Sequence, residues 1–260
     1  MDYLESYYSR YDEEGRLLSQ HGQVEYITTQ KYIHAYLAED REKKILEIGA
    51  GTGRYSVALA QEGYEVTALE LVGHNLEILR SKLNGTERIE ALQGNALDLS
   101  RFADDSFDLT LLLGPMYHLY TRDDKLRALS EAVRVTKRGG VVMVAYCMNE
   151  PTVIQYVFCG GRLREILDAR MLTDDWHCVS DPRELFDLIR TEEIAELDAA
   201  AGVERIKLIA TDGATNYLRP FIDAADAETF AGWVAYHLAT CERQDLVGAS
   251  HHTLDILRKK

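Results

Sequence analysis

Residues 44–54, Lys-Ile-Leu-Glu-Ile-Gly-Ala-Gly-Thr-Gly-Arg, constrain the fold of this chain more than any other stretch. A short apolar strand runs straight into Gly49, Gly51 and Gly53. Lacking a Cβ, glycine lets the backbone turn sharply and lets a ligand approach it closely. A helical pattern begins at once with Tyr55 and Leu59 and lasts to Gly63. Glu65–Leu71 then reads as a second strand with an acid, Glu70, near its end. Strand, glycine loop, helix, strand and terminal acid form a βαβ unit that holds a nucleoside. A carboxylate accepts two hydrogen bonds at once, which suits paired ribose hydroxyls.

The identity of the nucleoside follows from the loop. A dinucleotide fingerprint, Gly-x-Gly-x-x-Gly, would need glycine at 54, where the chain has Arg54, and Gly53 comes one residue early. Glu47 adds an acid just before the loop, which repels a pyrophosphate and favours an ammonium or a sulfonium. On Glu47-Ile-Gly-Ala-Gly-Thr-Gly53 with Glu70, the sequence resembles the class I, Rossmann-like S-adenosylmethionine (SAM)-dependent methyltransferases of small-molecule type. Their first motif is an acid-x-Gly-x-Gly-x-Gly loop.

Length and composition are compatible with one α/β domain. The 260 residues are 46% hydrophobic and 28% charged, enough for a sizeable core. No apolar run is long enough for a membrane span, and the N-terminus has neither the basic nor the apolar part of a signal peptide. Four cysteines are widely spaced with no Cys-x-x-Cys pair, which fits a reduced, cytoplasmic setting and argues against zinc. A net charge of −14 would repel nucleic acid.

The pattern along the chain predicts five strands alternating with helices, at 44–48, 65–71, 89–93, 109–113 and 141–146. Helices are expected at 73–83 and at 123–136, the latter stopped by Gly139-Gly140. Beyond 148 the alternation breaks into helical segments at 152–158, 162–171, 182–190 and 192–201, with Asp181-Pro182 and Thr191 as helix starts. Strands at 203–209 and 253–257 flank a helix at 226–240. Such alternation demands a doubly wound, mostly parallel sheet with helices on both faces. The resemblance implies seven strands, the last one antiparallel between the fifth and sixth. It divides a single domain into an N-terminal helical lid (1–40), a SAM-binding core (41–147), a substrate-facing helical insertion after strand five (148–201) and C-terminal strands and helix (202–260).

The resemblance also implies site residues. The cofactor is SAM and its product S-adenosylhomocysteine. Glu47, Gly49, Ala50, Gly51 and Gly53 form its loop, and Glu70 with Leu71 meets the ribose. Asn95-Ala96 stands where the family usually has acid-Ala for adenine; its amide oxygen accepts that bond without charge assistance, or Asn95 is simply a turn residue. Leu113-Gly-Pro-Met-Tyr-His118 leaves the C-terminal edge of the fourth strand, which faces ligand in open α/β sheets. It lacks the Asn-Pro-Pro-Tyr-like tetrad of nucleobase-methylating enzymes. His118 is the candidate general base, with loop ordering as the alternative, and Tyr117 either orients substrate or packs.

Tyr3, Tyr7 and Tyr11 recur at helical spacing and suit a cationic sulfonium or ordinary core. Tyr11, Tyr26 and Arg16 are the candidates for cofactor contact, Arg16 toward the methionine carboxylate. His251 and His252, adjacent on a strand, point to opposite faces and do not suggest a metal site. The expected activity is methyl transfer to O or N of a small molecule, without nucleic-acid or membrane partners. The rivals are a SAM-binding regulatory or sensor protein and, less compatible with Arg54, a NAD-dependent oxidoreductase.

Overall fold

The computed structural model describes residues 2–11, 13–182 and 185–260. Three helices come first: α1 (Asp2–Tyr8), α2 (Glu13–Arg16) and α3 (Gln20–Leu37). Ser19 caps α3 by accepting from the Gly22 amide. Next come β1 (Lys44–Ile48), α4 (Arg54–Gln61), β2 (Glu65–Glu70), α5 (Gly73–Ser81), β3 (Ile89–Gln93) and β4 (Phe107–Leu112). A single 3-10 turn (Pro115–His118) leads to α6 (Arg122–Val135), capped by Thr121, and to β5 (Thr136–Cys147). The next segment holds α7 (Asn149–Thr152), a π-helical stretch (Val153–Cys159), α8 (Leu163–Asp168) and α9 (Thr191–Ala201). β6 (Glu204–Ala210), α10 (Arg219–Asp223), α11 (Ala227–Thr240), α12 (Gln244–Val247) and β7 (His252–Arg258) complete the described elements.

The seven strands form one sheet in the order β3-β2-β1-β4-β5-β7-β6. Every pairing from β3 through β5 is parallel, and β7 is antiparallel to both β5 and β6. This is the doubly wound architecture expected from the sequence, including the reversed last strand. Strand order turns at β1 and β4, which stay paired to their last residues, Ile48 and Leu112, and a ligand crevice is expected just beyond these ends.

Both faces of the sheet are covered, so the central strands are apolar on both sides. Ile45, Leu109, Leu111, Met143 and Ile256 pack toward Tyr32, Ile33 and Leu37 of α3 and Leu59 of α4. Leu46, Ile48, Leu112 and Val144 pack on the other face toward Leu129 of α6 and Leu197 of α9.

Several local expectations need correction. β5 begins at Thr136, directly after α6, so Lys137–Gly140 belongs to a strand and not to a helix stop. A register shift opposite Phe107 and Leu109 absorbs the irregularity, and Gly139 takes φ +74° there. The helix expected over 182–190 is absent in its described part: 185–190 is non-helical, Leu185 takes φ +68°, Met148 bridges to Ile189, and residues 183 and 184 lie outside the described ones. Arg190, not Thr191, precedes α9, and the Glu193 carboxylate accepts from the Arg190 amide at 2.8 Å. Tyr11 lies beyond α1, so the tyrosines do not form one helical stripe; Tyr7 and Tyr11 stack instead, at 5.1 Å.

Candidate functional site

A cavity of about 460 Å³ opens at the C-terminal ends of β1, β2 and β4. Its first wall is the glycine loop. Ile48 ends β1, and the Gly49 and Ala50 amides fold back onto the Leu69 carbonyl at 2.8 and 3.1 Å. Gly49 has φ +80°, and a Cβ there would lie 2.5 Å from Pro115 Cδ. The loop therefore passes the turn after β4 only because residue 49 is glycine. Gly51, at φ +54°, faces open space, with Glu13 Cγ the nearest atom at 3.7 Å from a built Cβ. Gly53 does not line the cavity: its Cβ would strike Leu79 at 2.6 Å, so it brings α4 close to α5.

Glu70 and Asn95 form the second wall. Glu70 is buried, and its carboxylate accepts from Gly51 N–H at 2.7 Å and Val72 N–H at 2.8 Å. Burial raises its pKa, against these bonds. Asn75 lies beside it, buried, with its Oδ1 lacking a partner among the described residues. Asn95 Oδ1 accepts from Leu97 N–H at 2.9 Å, a turn bond that fixes the side chain in the cavity wall next to Ala96. Leu71 and Leu113 also line it. Glu47 reaches the floor from the middle of β1. It is 2% exposed, accepts from the Ser56 hydroxyl, and burial pushes its pKa up to about 8.

The N-terminal helices supply the roof. Arg16 lines the cavity and pairs with Glu13 at 3.2 Å and Glu25 at 2.9 Å. Burial opposes the charge, but Glu25 and Glu13 hold the guanidinium pKa well above its usual value. Tyr11 lines the cavity too. Tyr26 does not: its ring packs against Tyr55, lies 4.7 Å under the Arg54 guanidinium, and its hydroxyl accepts from Gln30.

His118 and Tyr117 are both at the cavity. His118 Nδ1 lies 2.8 Å from the Leu185 carbonyl oxygen, so Nδ1 carries the proton. Nε2 then accepts from the Tyr8 hydroxyl at 3.1 Å. Burial lowers the His118 pKa, keeping the ring neutral. This joins α1, the turn after β4 and the 185–190 segment at one ring. From that segment Phe186 stacks on His118 at 5.5 Å and enters the cavity wall. Trp176, His177 and Cys178 stand away from the cavity; His177 pairs with Glu193 at 3.0 Å.

Among the cavity residues that the sequence did not single out for the site are Thr211 and His252, beside Tyr8, Glu25, Asn75 and Phe186. Thr211 and His252 meet because β6 and β7 pair, with Ala210 opposite Thr253. Glu25, Asp212 and His252 gather ligand-type atoms within 4.8 Å of one another. Their atoms are already engaged, however: Arg16 holds Glu25, and Ser250, Asn216 and His252 hold Asp212. His251 turns away and packs on Tyr217 at 4.9 Å.

A Rossmann-like sheet with a reversed seventh strand and a nucleoside-type cavity at its switch point defines the methyltransferase class of fold. Residues 46–144 of the chain match the methyltransferase domain family, and the chain resembles SAM-dependent methyltransferases in fold. It is 35% identical over 109 residues to a demethylmenaquinone methyltransferase of Clavibacter sepedonicus, covering 42% of this chain and 43% of the relative. Among solved structures it resembles a SAM-dependent methyltransferase of Methanosarcina mazei, with TM-score 0.58, 17% identity, 88% of this chain and 96% of the other. It also resembles the [4+2]-cyclase SpnF, with TM-score 0.59, 18% identity, 90% of this chain and 81% of the other. The chain spans about half the length of the curated relatives it matches, from 43% to 57%. No helix among the described residues is long and apolar enough to cross a membrane.

Proposed function

We propose that this chain is a SAM-dependent methyltransferase acting on oxygen or nitrogen of a small-molecule acceptor. The observation that carries this reading is one cavity lined by the glycine loop, Glu70, Asn95 and the turn after β4. The donor set fits the cofactor. Glu70 holds back one lone pair on each oxygen for ribose hydroxyls, and the orphaned Asn75 oxygen faces the same region. Asn95 and the Ala96 amide address adenine. Glu47 favours the ammonium, Arg16 the carboxylate, and Tyr11 a cationic sulfonium. The sequence residues Tyr26 and Gly53 act from behind this wall.

When bound, SAM supplies a methyl group on a good leaving group. The chain's part is to exclude water and hold the acceptor's lone pair in line, which is worth about 7–11 kcal/mol in well-oriented reactions. Residues 1–40 serve as a lid, and the 148–201 segment, through Phe186, faces the acceptor. In this reading His118 latches the lid and does not act as base, since its one lone pair is occupied by Tyr8. His118→Ala then lowers turnover and stability together. The rival is tested by pH: a base role predicts an ascending limb in the rate profile that vanishes in His118→Ala, and its persistence returns His118 to positioning.

Calorimetry with S-adenosylhomocysteine and NADH side by side tests the cofactor. Tighter binding of S-adenosylhomocysteine is expected, and tighter NADH binding would overturn the proposal. Mass-spectrometric screening for S-adenosylhomocysteine release over metabolite mixtures then tests transfer. Binding without release across all acceptors would instead favour a sensor, or chemistry other than methylation on the same fold.

A further inference from the structure

The far wall of the cavity, past the cofactor motifs, has a chemistry of its own. Thr211 follows β6, His252 begins β7, and Tyr117 lies in the turn after β4. All three line the cavity. The Thr211 amide donates to the His252 carbonyl at 3.0 Å, and the Tyr117 and His252 rings are 6.0 Å apart. The Thr211 hydroxyl is buried, in a residue 3% exposed, with no hydrogen-bond partner among the described residues. A buried hydroxyl left unpaired costs about 1–3 kcal/mol, so a site that keeps one has a use for it.

His252 is fixed in one orientation. Its Nδ1 donates to Asp212 Oδ2 at 2.7 Å, and Asp212 is itself held by Ser250 and by Asn216. Nε2 is the ring's remaining donor. Burial opposes charge on this imidazole, but Glu25, Cys147 and Asp212 keep its pKa well above the usual histidine value. Glu25, 3.6 Å from Nδ1, is covered on its other side by Arg16. An imidazole N–H and two hydroxyls thus belong to three residues that line the same end of the cavity, while the neighbouring carboxylates of Glu25 and Asp212 are already paired.

We infer that the methyl acceptor carries a carboxylate, seated on His252, Thr211 and Tyr117 at the ends of β7, β6 and β4. A carboxylate has about four lone-pair sites and can take all three donors, one of them charge-assisted. An amine would set its N–H donors against the His252 Nε2–H, which has no lone pair to accept them. This inference rests on the cavity's other half holding the cofactor.

The test uses the full chain saturated with S-adenosylhomocysteine and two probes of matched shape, benzoate and benzylamine, followed by saturation-transfer NMR. Benzoate should bind and benzylamine should not compete with it. Thr211→Val and His252→Gln should each weaken benzoate by about tenfold or more while leaving S-adenosylhomocysteine affinity unchanged. Thr211→Val replaces an unpartnered hydroxyl by a methyl of equal size, so it decides the matter alone if His252→Gln fails to fold. Benzylamine binding in preference to benzoate, or benzoate binding indifferent to both substitutions, would overturn the inference. Failure of S-adenosylhomocysteine to bind at all would instead strike the cofactor reading, so the two are separable.

Discussion

At the scale of single residues, Glu70 and Glu47 among the acids of the cavity make different claims. Glu70 is engaged by the Gly51 and Val72 amides before any ligand arrives. Glu70→Ala therefore does two things. It removes charge-assisted bonds worth about 1.5–3 kcal/mol each to the ribose, and it leaves two backbone donors without their acceptor. We expect SAM affinity to fall at least about tenfold and the melting temperature to fall as well. Glu70→Gln keeps one acceptor but sets its NH2 against the other backbone N–H, so it should restore only part of the stability and of the affinity, by calorimetry and thermal melts. Glu47 acts through its proton. Burial raises its pKa from 4.5 to about 8, so near neutral pH the folded chain keeps a proton that the unfolded chain has lost. Its contribution to stability is fully present below pH 4.5 and is lost as pH rises through about 8. Glu47→Gln should flatten that decline in melts taken across this window. A bound ammonium stabilises the carboxylate, so SAM binding at neutral pH should release a proton. Calorimetry in buffers of different ionisation enthalpy would show this release in the wild type and not in Glu47→Gln.

At the scale of elements, the corner between α2 and α3 carries the roof of the site. Gly22 sits in that corner: a Cβ would overlap the Arg16 carbonyl and lie 2.9 Å from Leu17 Cα. Gly22→Ala should cost about 1–3 kcal/mol and, by displacing Arg16 and Glu25, weaken cofactor binding. Gly232, in the exposed middle of α11, has nothing within 4 Å of a built Cβ. Gly232→Ala should stabilise by about 0.5–1 kcal/mol and leave binding alone. Denaturant unfolding of the pair separates a glycine kept for packing from one that is not. Elements built from local pattern were legible in advance. β1 to β4, α4 and α11 follow from periodicity and glycine, and the Glu47–Gly53 loop lies where its spacing put it. The non-helical segment 185–190 was not legible, because it is held by long-range bonds such as Asn149 N–H to the Ile189 carbonyl. Thr211 and His252 were hidden for the same reason: no local signal joins residues 40 apart until Asp212 and the strand register bring them together.

At the scale of the whole molecule, a net charge of −14 surrounds a cavity that itself holds several carboxylates, a field that draws cations and repels polyanions. The sheet's topology has a consequence for how such a molecule comes into being. β6 pairs with β7 alone, and β7 alone fills the seam between β5 and β6. During translation β6 emerges more than forty residues before β7 and meanwhile has no seat in the sheet. β5, which ends at Cys147, waits still longer with one edge unzipped, a surface open to wrong pairings. The arrival of 252–258 closes both seams at once and buries Leu254 and Ile256 completely. The last two of the seven strands thus join the sheet in one late step, and it is the same step that sets His252 beside Thr211. A nascent chain stalled before residue 252 would lack two strands rather than one, and would present the cell's quality control with a half-built pocket.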